Sequence, residues 1–442
     1  MRLSAGVCAL AIYGGATSAQ LPDTRVPAAA RPTRSQAGTS EQKSDSLRLS
    51  RREAIAEALV RNAQLTIARE QTAQARARRQ TAIAVPDPVF EAGFDAETAP
   101  FSFGGAGSRP VSLGLTVPFP DKFRLNNRIG LADIRNFESN YRLQQQTILL
   151  IASADYDSLL VALKHQENLR EARQLAGDFL NRTQARFEGG TAAKLDVIQA
   201  QVAVAQAEND LIANERDIAA AQASLNRTLG RQVTAPIAPS DSLDIPPPLP
   251  DSATIEQTAL INRPEIESLR QQQLGARATT SLAKEFWYPD ISFGVSRDYL
   301  QPGPALFTTG ISLPLPAFYW QHARGDIAQA SHFEKELDAT YRDTRAQVVQ
   351  DVRTAYANAS TSMRQATFLR DQLVPAAREA YRVASTSYSL GGSSALEVLT
   401  ARSALLQALS QLADALAAAN TARADLDRAL GLPVSTSGAR TR

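Results

Sequence analysis

This sequence predicts a mainly α protein, duplicated internally and carrying a small β portion, on three observations. The second half repeats the first at an offset of 201 residues (Phe187 to Tyr388). Four short segments alternate apolar and polar residues with period two, the mark of strands with one face buried or in lipid. Each half also holds a helix-forming run far longer than a globular helix, such as Leu125–Phe187, which has no proline.

The duplication aligns Arg186–Gly230 with Ser387–Gly431 without a gap. It pairs Gly190 with Gly391, Leu195 with Leu396, Asp196 with Glu397, Val197 with Val398, Arg227 with Arg428 and Gly230 with Gly431. The same offset carries Pro88 to Pro289 and Gly93 to Gly294. A unit of about 200 residues is too long for a solenoid repeat of about 20–50. The expected organisation is a first repeat over 47–230, a Pro-rich extended linker over 231–251, a second repeat over 252–431 and a tail over 432–442.

Each unit reads helix, strand, loop, strand, very long helix, turn, helix. The first helix spans Arg51–Ala84 and its counterpart Ala253–Lys284, both rich in strong helix formers and ended by Pro86, Pro88 and Pro289. Val89–Asp95, Val111–Val117, Ile291–Ser296 and Thr309–Leu313 follow as strands. Phe90, Phe94, Leu113, Leu115, Ile291, Phe293 and Ile311 share the apolar side, with Gly, Ser and Thr opposite. The loops Ala96–Arg109 and Leu300–Pro304 hold Gly and Pro, as hairpin connections do. The helix from Leu125 to Phe187 would extend roughly 90 Å. Its counterpart, Gly325–Leu390, should kink at Pro375. Gly189-Gly190 and Gly391-Gly392 then reverse the chain into helices Ala192–Leu229 and Ser394–Leu430. In the last helix, Leu405/Leu412 and Leu409/Leu416 recur at seven residues, a coiled-coil spacing.

At the N-terminus, residues 1–19 read as a secretory leader: one Arg, a short apolar run containing Cys8, and a small-residue end at Ala19. Residues 20–46 are polar and Pro/Ser/Thr-containing, and disorder is expected there. Cys8 is the only cysteine, so the mature chain would offer no disulfide, thiol nucleophile or Cys-ligated metal.

Composition narrows function. The 47 basic and 45 acidic residues leave a formal charge of +2, which gives no drive toward polyanions, and no nucleic-acid partner is expected. No later run of about 20 apolar residues marks a membrane helix, so any membrane entry would be through strands. Four strands cannot close a barrel, and open edges in lipid cost several kcal/mol per unpaired group. Three copies supply twelve strands, enough for a water-filled lumen, so a homotrimer is expected. Helices this long must stand beneath the barrel as a second tube.

The chain resembles the TolC-type outer-membrane efflux proteins, from about Ser50 to Leu432. The resemblance rests on the repeated Phe/Tyr-x-x-Gly-x₄-Leu-Asp/Glu-Val turn (Phe187–Val197, Tyr388–Val398) and the Pro-Leu-Pro corner. It implies a trimeric twelve-stranded β-barrel in the outer membrane continuing into a long α-helical barrel in the periplasm. It also implies a passive conduit, fed by an inner-membrane pump through a periplasmic adaptor. Leu313–Pro316 followed by Ala323–Ala330 is most similar to the branch serving heavy-metal pumps of the resistance-nodulation-division type.

By position, the resemblance places Glu397 at the periplasmic aperture, where three copies would repel one another and favour cations. Asp196 and Tyr388 match a pair that latches neighbouring hairpins. Ser393 stands where a basic residue could complete the lock, and Thr400 where a second acidic ring can lie. The glycines at 189, 190, 391 and 392 mark the adaptor-docking turns. Each acid also has a plainer role, as a charge favoured at a helix N-terminus. His165, His322 and His332 have no metal-site spacing, and no nucleophile elbow, P-loop or zinc motif is present, so neither catalysis nor a cofactor is expected. The rival to a conduit is a secreted periplasmic coiled-coil protein whose strands pack on themselves.

Overall fold

The computed structural model describes residues 47–93, 108–300, 305–314, 318, 321 and 323–432. The leader, the segment 20–46, both hairpin loops, Phe94, His322 and residues 433–442 lie outside the described residues.

The first unit begins with β1 (Leu47–Leu49) and α1 (Arg51–Arg61). Ser50 starts α1 as a capping box: its hydroxyl accepts the Glu53 amide, and Glu53 accepts the Ser50 amide at 2.8 Å. The single helix expected over Arg51–Ala84 is two, α1 and α2 (Ala63–Ala82). Asn62 divides them. Its backbone is extended, its Oδ1 caps α2 at Gln64, and its Nδ2 donates to the Thr228 carbonyl.

Then come β2 (Val89–Ala92), β3 (Ser108–Val117), α3 (Pro120–Glu188) and α4 (Lys194–Leu229). Proline at the first turn of α3 suits the missing N–H. At 69 residues α3 is roughly 100 Å long. One 18-residue window of α3 reaches a mean hydropathy of 1.3. The apolar face of α3 is spent inside the protein: Ile148, Ala152, Tyr156, Leu159 and Leu160 pack with Ala54, Ala58, Leu65, Leu225 and Leu229.

The linker is more than an extended connector. It forms β4 (Ile237–Pro239), parallel to β1 with Leu47 opposite Ile237 and Leu49 opposite Pro239. Ile237 is buried in the first core, while Leu243 and Ile245 border a second formed by Ala366, Leu369, Ala415, Leu416 and Ala419.

The second unit has α5 (Ile255–Asn262), α6 (Pro264–Lys284), β5 (Ile291–Leu300), β6 (Ala305–Ser312), α7 (Ala323–Phe368), α8 (Val374–Ser389) and α9 (Ala395–Ala429). The expected Ala253–Lys284 helix is again broken, at Arg263, because Pro264 disfavours helical backbone in the residue before it. Asn62 and Arg263 are equivalent under the 201-residue offset. Each break receives a glycine: a Cβ on Gly230 would lie 2.8 Å from the Arg61 oxygen, and one on Gly431 2.7 Å from the Asn262 carbonyl carbon. At the position of the expected kink, just before Pro375, a π-helical turn, Leu369–Leu373, separates α7 from α8.

The four longer strands form one sheet in the order β2-β3-β5-β6. Every pairing is antiparallel, and β3 against β5 joins the two units from Ser108↔Leu300 to Val117↔Ile291. Among the described residues, the outer edges of β2 and β6 have no partner strand.

Candidate functional site

Two regions carry the candidate residues: the sheet at one end of the subunit, and the pair of interhelical turns where α3 meets α4 and α8 meets α9.

Residues directly opposite in an antiparallel pair share a face. The register therefore aligns Phe90, Leu113, Val295 and Thr309 in one row, Leu115, Phe293 and Ile311 in the next, and Val117 with Ile291 below. Phe90, Leu113, Phe293, Val295 and Ile311 are exposed, Ile311 by 72%. The opposite face is small and polar. Gly114, Gly294 and Gly310 lie abreast, flanked by Ser112, Ser296 and Thr308 on one side and Thr116, Ser292 and Ser312 on the other. The Thr116 and Ser292 hydroxyls hydrogen-bond at 2.9 Å. Val89 and Leu306, at strand ends, depart from the pattern. Below the sheet, Phe119 stacks on Tyr288 at 4.8 Å, Trp287 is exposed, and Lys122 pairs with Asp290 at 2.8 Å.

At the other end, Gly190 and Gly391 adopt φ of +72° and +83°, the left-handed backbone that ends a helix. Thr191 N–H reaches back to the Arg186 carbonyl and Gly392 N–H to the Ser387 carbonyl, each at 2.8 Å. Gly189 and Gly392 sit beside them as ordinary turn residues. Asp196 and Glu397 occupy matching places in the first turns of α4 and α9. Asp196 accepts the Ala193 amide at 3.4 Å, and Glu397 is held by the Ser394 hydroxyl at 3.1 Å. Both acids cap their own helices, and Glu397 remains exposed.

Tyr388 is 2% exposed and belongs to a small core with Phe179, Ala200, Ala395 and Val398. Its ring leans on Phe179 at 5.2 Å. Its buried hydroxyl has no partner among the described residues, so within one subunit it is not bonded to Asp196. Arg186 joins the two hairpins inside the subunit: its guanidinium lies 4.5 Å from the Tyr388 ring centroid and donates to the Tyr388 carbonyl. Arg182 assists, donating to Ser385 Oγ at 2.8 Å. Sequence reasoning missed both arginines. The signal was a break in the duplication, since position 387, equivalent to Arg186, is Ser and position 383, equivalent to Arg182, is Val. Around the turns Leu195, Leu396 and Leu390 are exposed by 62%, 65% and 83%.

Between these ends lies a buried polar junction that sequence patterns did not disclose. Arg51 pairs with Asp157 of α3 and donates to Asn420 of α9, while its backbone amide donates to Asp241 at 2.6 Å. Tyr156 Oη donates to Asp241 at 3.1 Å. Burial pushes the Asp157 carboxyl up to about 6, with Arg51 pulling against it. The start of the first unit, the linker and the last helix are thereby tied together. Among the described residues no group of three His, Cys, Asp or Glu side chains could hold a metal ion.

A sheet apolar on one face and small and polar on the other, joined to paired long helical hairpins, defines a mainly α chain with a small β portion, built as two copies of one unit. The chain belongs to the outer membrane efflux protein family, whose model matches it twice, over residues 54–231 and 255–432. It is 24% identical over 276 residues to the cobalt-zinc-cadmium resistance protein CzcC of Cupriavidus metallidurans, covering 62% of this chain and 65% of that one. It is 29% identical over 262 residues to the probable efflux pump outer membrane protein TtgC of Pseudomonas putida, covering 57% and 53%. The matches thus span about half to two-thirds of these curated relatives. Among solved structures, the outer-membrane channel OprN superposes with a TM-score of 0.73 at 17% identity, over 86% of this chain and 89% of that one.

Proposed function

We propose that this chain forms the outer-membrane channel of a tripartite efflux system, as a passive homotrimeric conduit. The single observation that carries the reading is the open sheet. Its exposed apolar face suits lipid, its Gly/Ser/Thr face suits a water-filled lumen, and its unpaired edges on β2 and β6 require neighbours. Three subunits joined β6 to β2 close twelve strands, and the helical hairpins continue the duct through the periplasm.

In this reading Phe90, Leu113, Leu115, Ile291, Phe293 and Ile311 face outer-membrane lipid. The two turns, with Gly189, Gly190, Gly391, Gly392 and the exposed Leu195, Leu390 and Leu396, meet a periplasmic adaptor that connects to an inner-membrane pump. Glu397 lines the aperture, with Asp196 and Tyr388 nearby. A wide aqueous duct selects weakly, so the pump sets the cargo. The likeness to a cobalt-zinc-cadmium resistance protein supports a metal-ion pump of the resistance-nodulation-division type, and a carboxylate ring at Glu397 suits cations.

The test is reconstitution of the purified protein. Heat-modifiable trimers in outer-membrane fractions and stepwise conductance in planar bilayers are expected. A water-soluble monomer after export would overturn the conduit and favour the secreted coiled-coil alternative.

A further inference from the structure

The near-balanced charge of the whole chain, +2, hides a local segregation beneath the sheet. Arg128, Arg135 and Arg142 follow one another on α3 at seven-residue steps, so they share one face of the helix. All three are exposed, and none has an acidic partner among the described residues. The helices on either side carry matching cations: Arg69 and Arg76 on α2 are equivalent to Arg270 and Arg277 on α6 under the 201-residue offset. Arg69, Arg76 and Arg142 line one groove with Tyr141. Arg128, Arg135 and Arg277 line the next, with the exposed Leu131 and Leu274.

Acids reach only part of this set. Arg76 pairs with Glu138 at 3.0 Å, Arg277 with Glu334 at 3.5 Å and Arg270 with Glu267 at 3.8 Å. The row on α3 is not a by-product of the duplication. Phe137 and Glu138 correspond to Phe333 and Glu334, and at that offset α7 holds Arg324, Ser331 and Asp338 in place of the three arginines.

Tyr141, next to Arg142, packs against the first core, in which α1, β1 and β4 cover α3. Turned inward, three copies of that second layer would stand in the duct, so this side of α3 is the outer one. Within one subunit α3 contacts α2 and α6 on its two flanks, and joining subunits edge to edge leaves the outer face of α3 open. The helix starts beneath the strands at Pro120. At about 1.5 Å per residue, Arg128 stands roughly 12 Å and Arg142 roughly 33 Å below that point. Headgroups add only about 5–8 Å beyond the hydrocarbon core, and screening in about 0.15 M salt acts within about 8 Å. The lower arginines are therefore out of reach of lipid phosphates. Successive cations lie about 10 Å apart along α3, and neighbouring helix axes about 8–10 Å apart. Such a grid suits an extended polymer bearing carboxylates at intervals, rather than one compact anion.

We propose that the outer face of α2, α3 and α6, centred on Arg128, Arg135 and Arg142, docks the carboxylate-bearing peptides of the cell-wall glycan, the polyanion between the two membranes. The site rests on the membrane orientation given under the proposed function. Guanidinium groups donate paired hydrogen bonds to carboxylates, and contacts spread over three helices fasten the helical barrel without entering the duct.

The full-length trimer, purified in detergent, would be co-sedimented with protein-free cell-wall sacculi. Wild type should sediment with them and be released as salt rises from about 0.05 to about 0.5 M. The triple variant Arg128→Gln, Arg135→Gln, Arg142→Gln should bind about tenfold more weakly. Removing three exposed cations of α7 instead, by Arg324→Gln, Lys335→Gln and Arg345→Gln, should leave binding unchanged. Sacculi whose carboxyls have been converted to amides should retain little wild-type protein. Equal retention by the α3 variant, an equal loss in the α7 variant, or full binding to amidated sacculi would each overturn the site. Planar-bilayer conductance separates the two levels. A trimer that conducts yet ignores sacculi refutes this site alone, whereas a water-soluble monomer refutes the membrane reading beneath it.

Discussion

The guanidinium of Arg186, from the end of α3, lies 4.5 Å from the ring centroid of Tyr388, from the end of α8, and also donates to its carbonyl. The contact binds the first helical hairpin to the second beside the packing of Tyr388 on Phe179 and the Arg182–Ser385 hydrogen bond. Replacing Arg186 by Ala removes a cation–aromatic contact and a charge-assisted hydrogen bond, a loss of about 1–3 kcal/mol. Amide exchange over residues 386–393 should accelerate in Arg186→Ala, with Arg186→Lys intermediate. Wild-type protection in the Ala variant would show that the hairpins are held by Phe179 and Val398 packing alone.

The sheet faces can be told apart by charge insertion. Leu115→Arg or Phe293→Arg should cost about 2–4 kcal/mol if the site lies near mid-bilayer, and trimer yield should fall. Ser112→Arg, on the polar face, should leave yield close to normal. Equal yields from all three would contradict the assignment of faces.

Glu397 has two possible contributions, a helix cap and an aperture charge. Glu397→Gln keeps an acceptor for Ser394 while removing the charge. Cation preference in planar bilayers should drop while thermal stability of the trimer stays within about 0.5 kcal/mol. Unchanged ion preference would take Glu397 out of the aperture.

Asp157 supplies a pH dependence whose sign can be worked out. Its pKa is raised from 3.8 in the free side chain to about 6 in the folded protein. Between those values the folded state binds more protons than the unfolded one, so this group's stabilising contribution is complete below about pH 4 and is lost as pH rises through about 6. Asp157→Asn should abolish that component of the slope. It should also lower stability at pH 7, because Arg51 loses its buried counter-ion. Denaturant titrations at pH 4.5 and 7 would reveal both effects, and an unaltered slope in the variant would assign the pH dependence elsewhere.

Gly230 and Gly431 are equivalent, with φ of +69° and +71°, and each faces backbone at the break between two helices. Alanine at either site meets both backbone strain and a clash, so a loss of at least about 1 kcal/mol is expected, more than for Gly177→Ala in mid-helix, where no atom lies within 4 Å of a new Cβ. Thermal melts of the three variants make the comparison, and equal melting points would mean that the helix breaks adjust freely.

Much of the architecture was legible because it rests on local chemistry repeated twice. Period-two alternation located the strands, the absence of interior breakers located α3, and paired glycines located the turns, where Gly190 and Gly391 take left-handed backbone. Pro375 announced an interruption of the long helix, and the form that it takes is a π-helical turn just before the proline. The helix break at Arg263 was signalled by Pro264. That at Asn62 was not, because no local rule breaks the helix there without the Thr228 carbonyl that Asn62 binds from far along the chain.

The amino-acid pattern alone thus determined the duplicated plan and the two-faced strands, since helix propensity, alternation and turn chemistry act between near neighbours. Only the tertiary structure decided which strands adjoin across the units, that the linker is pinned as β4 beside β1, and that Tyr388 turns inward to Arg186 rather than to Asp196. The same holds for the junction of Arg51, Asp157, Asp241 and Asn420, whose members lie up to 369 positions apart. Such pairings depend on where packing brings distant segments together, and burial strengthens the charge interactions that then form.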